Sequence, residues 1–210
     1  MKQELIDNWQ RRGYKFDKKL IEAFKAVPRE KFVHDHQKEG AYIDIALPIG
    51  HSQTISQPFT VMTMTQALDL KPNDKVLEVG TGSGYQAAII AKIIAPGKIF
   101  STEIISELVI MAKNNLKKAN IKNVKVINYD GSKGYPPEAP YDKIIVTAAC
   151  PEIPKALIEQ LKEGGILVAP VGSILFGQKM IKAKKVNGKL HKENLGMFVF
   201  VPLKGEFGYI

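Results

Sequence analysis

A strand, a glycine-rich turn and a helix run together without a break in LEVGTGSGYQAAIIA, which begins at Leu77. The residues KVLEV form a short apolar run without polar alternation, so this strand is buried on both faces. The helix after the turn is apolar almost all round and needs cover on every side. A buried strand feeding a buried helix through a tight turn predicts a parallel sheet coated by helices. The alternation continues with KIFSTE as a strand, SELVIMAKNNLKKAN as a helix, and VKVINYD and YDKIIVTAA as strands. PKALIEQLKEGG then predicts a helix from Pro154 to Gly164, and GGILVAPV a further strand. Beyond Gly177 the pattern becomes antiparallel, including GMFVFVPL, with Asn187-Gly188 as a two-residue hairpin turn.

Ahead of the sheet, two amphipathic stripes predict helices: Leu5, Ile6 and Trp9, then Phe16, Leu20, Phe24 and Val27, stopped by Pro28. From Tyr42 to Gln57 no period persists, which predicts an ordered loop. Pro58 suits the first turn of a helix that buries Val61, Met62, Thr65 and Leu68 and closes near Pro72. The 210 residues are therefore expected to form one domain, 1–210, of α/β class. It combines a mostly parallel, doubly wound, Rossmann-like sheet with a helical cap over about residues 1–57 and antiparallel C-terminal strands.

Ligands of doubly wound sheets sit beyond the carboxyl ends of the strands, where strand order reverses. Gly80, Gly82 and Gly84 stand there as G-x-G-x-G. A dinucleotide turn, G-x-G-x-x-G, would need glycine where Tyr85 stands; a P-loop needs a Gly-Lys-Ser/Thr that is absent. A nucleophile elbow around Ser83 would need glycines at the positions of Thr81 and Tyr85. Glu78, two residues before Gly80, would repel a diphosphate and favour a cationic ligand. S-adenosylmethionine carries an amine and a sulfonium and no phosphate. Glu103 ends the next strand about 20 residues on, at the spacing where an acid accepts from both ribose hydroxyls. Asp130-Gly131 ends the third strand. Either acid alone could simply be solvated or cap a helix; together with the glycine turn they predict a cofactor site.

The chain carries a net charge of +9, which would suit a nucleic-acid partner. However, Lys113, Lys117 and Lys118 fall opposite the apolar stripe Leu108, Met111, Ala112, Leu116 and Ala119, as a solvated helix face does. Lys182, Lys184 and Lys185 lie near the hairpin turn and are equally explained as edge-strand lysines. His34 and His36 lack the further ligands a metal site needs, so no metal is expected. Cys150 is the only cysteine, which excludes an internal disulfide; it is expected to pack as a small apolar side chain. No stretch approaches a membrane span, and a reducing cytoplasm is the expected location.

Several segments together resemble the protein-L-isoaspartate (D-aspartate) O-methyltransferase family: VPREKFV from Val27, LPIGHSQTISQP from Leu47, VLEVGTGSGYQAA from Val76, DGSKGYPPEAPYDKIIVTAA from Asp130 and ALIEQLKEGGILVAPVG from Ala156. The resemblance runs from about residue 20 to residue 203. It implies a class I methyltransferase fold and S-adenosyl-L-methionine as cofactor. The implied activity is protein repair: methylation of the free α-carboxylate of L-isoaspartyl and, by the family's name, D-aspartyl residues in damaged proteins and peptides. The ester then collapses to a succinimide. It further implies that Ser56 orients the substrate carboxylate, although spacing alone favours Ser56 as the cap of the helix at Pro58. Gln53, Thr54, Ile55 and Ser56 are implied around cofactor and substrate, with Glu78, Gly80, Thr81, Gly82, Ser83, Gly84, Glu103, Ile104, Asp130 and Gly131 around the cofactor. A monomer without nucleic-acid or membrane partners is expected.

Two rivals remain at this point: an RNA methyltransferase and a non-catalytic S-adenosylmethionine-binding module. TAACPEIP after the fourth strand differs from the Asn/Asp-Pro-Pro-aromatic pattern of amino-group methylation, and the intact Ser56 segment speaks against a mere binding module. The chain departs from the family pattern at Phe59, where His or Tyr is usual, at His51, and across SILFGQKM.

Overall fold

The computed structural model describes residues 1–209; the last position of the expected domain, Ile210, lies outside the described residues. Seven strands form the central sheet: β3 (Lys75–Val79), β4 (Lys98–Glu103), β5 (Val124–Asn128), β6 (Tyr141–Val146), β7 (Leu161–Ser173), β8 (Gly177–Val186) and β9 (Lys189–Phe198). Their spatial order is β5-β4-β3-β6-β7-β8-β9. Pairing is parallel from β5 through β7 and antiparallel for β7–β8 and β8–β9, as the sequence predicts. The order reverses at β3, whose neighbours are β4 on one side and β6 on the other.

Alternation along each strand divides the core. Val76, Ile99, Ile145 and Val168 point to the face covered by α1 (Lys2–Arg11), α2 (Lys18–Ala26), α3 (Pro58–Ala67), α4 (Tyr85–Ile94) and α5 (Ser106–Lys118). Leu77, Ile144, Val146 and Leu167 point to the other, closed by Leu157 of α6 (Lys155–Gln160) and by Leu203. Both faces of β3 are therefore dry, which is why Val76, Leu77 and Val79 show no period-two alternation. Helix α4 is buried along nearly its whole length, and the predicted buried residues of α3, Val61, Met62, Thr65 and Leu68, are all inside.

The structure corrects four expectations. The stretch expected as an ordered loop contains a two-stranded hairpin, β1 (Leu47–Gly50) with β2 (Gln53–Ile55). Its turn uses His51 and Ser52 at φ 53° and 58°, a left-handed conformation that neither residue type advertises. The N-terminal cap is thus helical only as far as the short 3₁₀ turn Asp35–Gln37. Helix α6 stops at Gln160 rather than Gly164, because Leu161 turns extended and pairs with Tyr141. Lys185 Nζ then donates to the Ile158 and Leu161 carbonyls at 2.7 and 2.8 Å, satisfying acceptors at the helix end. GMFVFVPL is strand only up to Phe198; beyond it, Pro202 makes an isolated parallel bridge to Ala149. Finally, Lys182, Lys184 and Lys185 lie on β8, an inner strand, so edge protection falls to β9. The hairpin turn at Asn187-Gly188 is present, with both residues at positive φ.

Candidate active site

The turn after β3 sits at the topological switch point. Gly80, Gly82 and Gly84 have φ of 94°, 51° and 88°, left-handed values that disfavour any side chain. Gly80 and Thr81 N–H groups donate to Thr102 O at 2.9 and 3.1 Å, and Gly84 N–H to Thr81 O at 2.8 Å. These bonds hold the turn against the end of β4 and start α4, whose N-cap is Gly84.

Glu103, at the end of β4, accepts from Gly82 N–H on one carboxylate oxygen at 2.9 Å and from Ile105 N–H on the other at 3.0 Å. Each oxygen keeps acceptor capacity toward a ligand. A cleft in two lobes opens around this carboxylate. One lobe is bounded by Gln53, Thr54, Ile55 and Ser56 on the hairpin side and by Gly80, Thr81, Gly82 and Ser83 opposite. The other is bounded by Ile104, Ile105, Tyr129, Gly131 and Lys204. Gln53, Gly80, Glu103 and Ala148 border both. The lobe at the glycine turn contains a carboxylate and neither Lys nor Arg, which suits a cationic nucleoside and disfavours a diphosphate.

Three predicted site residues stand outside the cleft lining. Glu78 is fully buried within β3. Burial, together with the neighbouring Glu103 charge, raises its pKa to about 8, and the hydroxyl of Ser101 donating to it opposes that rise. Below that pH the buried carboxyl is neutral, so it braces the strand behind the turn and neither touches the cleft nor places a charge beside it. Gly84 serves as the helix cap. Asp130 spends its carboxylate inside the protein, accepting from Ser132 N–H and Oγ at 3.0 and 2.6 Å and from Glu206 N–H at 3.0 Å. It ties the C-terminal segment to the end of β5.

Ser56 lines the cleft, and α3 does not use it as a cap. The N-cap of α3 is Gln57, with no side-chain cap bond. The first-turn donor of Phe59 is taken instead by Asp44 Oδ1 at 2.8 Å, while Asp44 Oδ2 accepts from Trp9 Nε1 at 2.8 Å. The hydroxyl of Ser56 is thereby released from capping. Its carbonyl is held by Arg29, whose Nη2 donates to it at 2.9 Å and to Ile45 O at 3.3 Å, while Nη1 donates to Ala41 O. Arg29 is wholly buried, and burial lowers its pKa from the ordinary value. Its guanidinium lies 5.9 Å from the Tyr85 ring centroid, an attractive arrangement.

Sequence reasoning missed Arg29, Asp44 and Thr147. Thr147 borders the cleft and donates from Oγ1 to Val79 O at 3.1 Å and to Gly80 O, bracing the glycine turn from β6. VPREKFV holds Arg29 in plain view, yet an Arg after Pro is ordinarily exposed, and only the tertiary fold buries it. Cys150 is buried, donates to Pro170 O at 3.3 Å, and has a thiol pKa pushed by burial up to about 12; this fits packing rather than nucleophilic use. His34 and His36 stack with centroids 5.8 Å apart. Among the described residues there is no group of three or more candidate metal ligands, and no helix is long and apolar enough to cross a membrane.

Comparison with known proteins adds four findings. Residues 1–208 match the family model described as protein-L-isoaspartate(D-aspartate) O-methyltransferase. The chain is 49% identical over 214 residues to a protein-L-isoaspartate O-methyltransferase of Pyrococcus horikoshii, covering 98% of this chain and 97% of that one. It is 49% identical over 209 residues to protein-L-isoaspartate O-methyltransferase 2 of Archaeoglobus fulgidus, covering 99% and 95%. Among solved structures, it is similar to a Plasmodium falciparum protein described as a protein-L-isoaspartate O-methyltransferase in complex with S-adenosyl-L-homocysteine. That match has a TM-score of 0.82 and 28% identity over 96% of this chain and 97% of that one.

Proposed function

The chain belongs to the protein-L-isoaspartate (D-aspartate) O-methyltransferase family, and from that premise we propose how its own residues carry the reaction. It is an S-adenosyl-L-methionine-dependent repair enzyme that methylates L-isoaspartyl residues of damaged proteins. These matches do not favour the RNA-methyltransferase and binding-module alternatives. When bound, the cofactor supplies a methyl group on a sulfonium.

In the proposal, Glu103 would hold the cofactor's ribose, Ile104 and Gly131 would border its nucleoside, and Gly80 to Ser83 with Gln53 to Ser56 would hold its methionine end. Glu78 and Asp130 contribute from outside the contact surface, the first by its buried hydrogen bond to Ser101 behind the glycine turn and the second by holding the end of β5.

The substrate needs no general base. An isoaspartyl α-carboxylate has a pKa near that of a chain terminus, about 3.5, and is ionised at neutral pH. Its oxygen would accept the methyl that the cofactor supplies, the oxygen–carbon bond forming as the carbon–sulfur bond breaks, and both charges would be lost. Rate therefore comes from alignment and from excluding water. Ser56 Oγ–H donates to one carboxylate oxygen and leaves the other aimed at the methyl, while β1–β2 covers the site. The ester product closes on the neighbouring backbone nitrogen to a succinimide, releasing methanol.

What supports this role is one observation: Ser56 borders the lobe at the glycine turn while Asp44 satisfies the helix donor that Ser56 would otherwise serve. The +9 charge is taken as solvated surface. The protein is proposed to act in the cytoplasm as a monomer, with residues 1–210 as one domain. The test is a pair of peptides, identical except for an aspartyl or L-isoaspartyl linkage, incubated with methyl-labelled cofactor. Alkali-labile label on the isoaspartyl member alone is expected; label on neither peptide, or on RNA instead, would overturn the proposal.

A further inference from the structure

Beside the cleft runs a second, larger groove of about 1100 Å³. Its walls are the exposed flank of α3, the link between α1 and α2, the β7–β8 turn and the end of β9. Its apolar surface is unusual for a free face. Leu175, Phe176, Met197 and Val199 are 80%, 83%, 59% and 86% exposed, and all four line it. An apolar concentration of this kind marks an interaction surface rather than ordinary solvent-facing chain. Phe59 also lines it, braced edge-on by Tyr14 with ring centroids 4.5 Å apart. Phe59 and the Ser173–Met180 segment are also two of the places where the sequence departs from the family pattern.

The groove and the cleft share a boundary. Along the start of α3, Ser56 and Val61 face the cleft while Gln57 and Thr60 face the groove. Across from them, Val201 faces the cleft and Val199 the groove. A polypeptide that presents a carboxylate at Ser56 can continue directly into the groove. The charges select between occupants. Lys182 faces Glu193 across the β8–β9 ladder, which leaves Arg12 and Lys15 as the unbalanced charges on the wall. A second copy of this chain, itself +9, is repelled there, whereas a substrate segment with acidic residues is attracted.

We propose that this groove seats the substrate polypeptide flanking the isoaspartyl residue, and that it gives this enzyme a preference for a large apolar side chain a few residues from the damaged linkage. This rests on the repair activity stated above and adds a selectivity to it. Extended chain advances about 3.3 Å per residue, so the third residue from the linkage lies roughly 10 Å from Ser56, a reach suited to a neighbouring groove.

Two L-isoaspartyl peptides, identical except for Phe or Ala at the third residue on each side, test it. With the wild-type enzyme, kcat/KM is expected to be about tenfold higher for the Phe peptide. Full burial of a phenyl ring would give more, but the groove is open. In the doubly substituted Leu175→Ser, Phe176→Ser enzyme, and separately in Val199→Ser, the ratio is expected to fall toward one. All three positions are exposed, and circular dichroism checks that the fold is kept. Equal kcat/KM for both peptides with the wild type, or a ratio that survives both sets of substitutions, would overturn the groove while leaving the repair activity standing. Methylation of neither isoaspartyl peptide would overturn both. A dimer by light scattering that Phe176→Ser converts to monomer would reassign the surface to self-association and overturn it as well.

Discussion

Replacing Arg29 by Met removes the guanidinium, which lies near the Tyr85 ring, while keeping most of the apolar stem. Two of its acceptors matter most: the Ala41 carbonyl, on a residue with no exposed surface, and the Ser56 carbonyl at 2.9 Å. The Ile45 contact at 3.3 Å is long and adds little. Leaving a buried acceptor unpaired costs roughly 1–3 kcal/mol, so the buried Ala41 carbonyl and the part-buried Ser56 carbonyl together cost at most roughly 6 kcal/mol. Relief of the desolvation borne by the buried cation offsets part of this, and a net loss of about 3 kcal/mol is expected. For a chain of this size each kcal/mol is worth about 2–4 °C, so Tm is expected to fall by about 6–12 °C. The functional effect is separable from this by a double-mutant cycle. If Arg29 acts on turnover by tethering Ser56, then adding Arg29→Met to Ser56→Ala lowers kcat little further, because the hydroxyl that the tether positions is already gone. Thermal unfolding by circular dichroism and single-turnover methyl transfer below the lowest Tm read the two effects. A fall in Tm under 2 °C, or kcat losses that multiply, would refute the reasoning.

Ser56→Ala alone is expected to lower kcat by about 10- to 100-fold, the worth of one hydrogen bond to a charged group, with cofactor Kd and Tm nearly unchanged; a Tm fall of several degrees would return the residue to helix capping. Glu103→Ala, measured by calorimetry, is expected to weaken cofactor binding at least tenfold, whereas Asp130→Ala is expected chiefly to lower Tm, because its oxygens bind Ser132 and Glu206. Glu78→Gln tests the buried acid. A folded-state pKa of about 8 against an ordinary 4.5 means that the wild type loses stability relative to the variant as pH rises between those values, by up to about 1.4 kcal/mol per pH unit. Urea unfolding from pH 5 to 9 reads this, and a difference independent of pH would sink it. Gly131→Ala is expected to cost about 1–3 kcal/mol by overpacking, because the new methyl would collide with Thr102 Oγ1 and lie 2.7 Å from Val79 Cγ1; an unchanged Tm would show that the sheet yields there.

The sheet and its glycine turn were legible because β3 and α4 are buried on nearly all sides, and burial of that kind leaves apolar residues without a single polar face. The same completeness hid the position of Glu78. In a strand covered on both faces, period-two alternation no longer separates ligand side from core side. The β1–β2 hairpin escaped because its strands are four and three residues long and its turn lacks glycine and asparagine at the left-handed positions. Arg29 and Asp44 escaped for a different reason. Each acts on backbone groups more than ten residues away, and a donor–acceptor match at that range leaves no local period. Ser56 could be singled out only through the family pattern, since spacing alone favoured a cap.

The placement of β3 at the centre of the sheet also bears on how the chain is made. Val76 pairs with Ile99 on one side, but its partner on the other, Lys143, arrives roughly 70 residues later. At a synthesis rate of about 5–20 residues per second, that flank of the nascent sheet stays without its neighbour for roughly 3–14 s. During this interval the N-terminal half exposes an apolar, hydrogen-bond-hungry border of the kind that recruits holdases or aggregates. A ribosome-stalled chain ending before Tyr141 would therefore be chaperone-bound, and one extended well past Ser173 would be released.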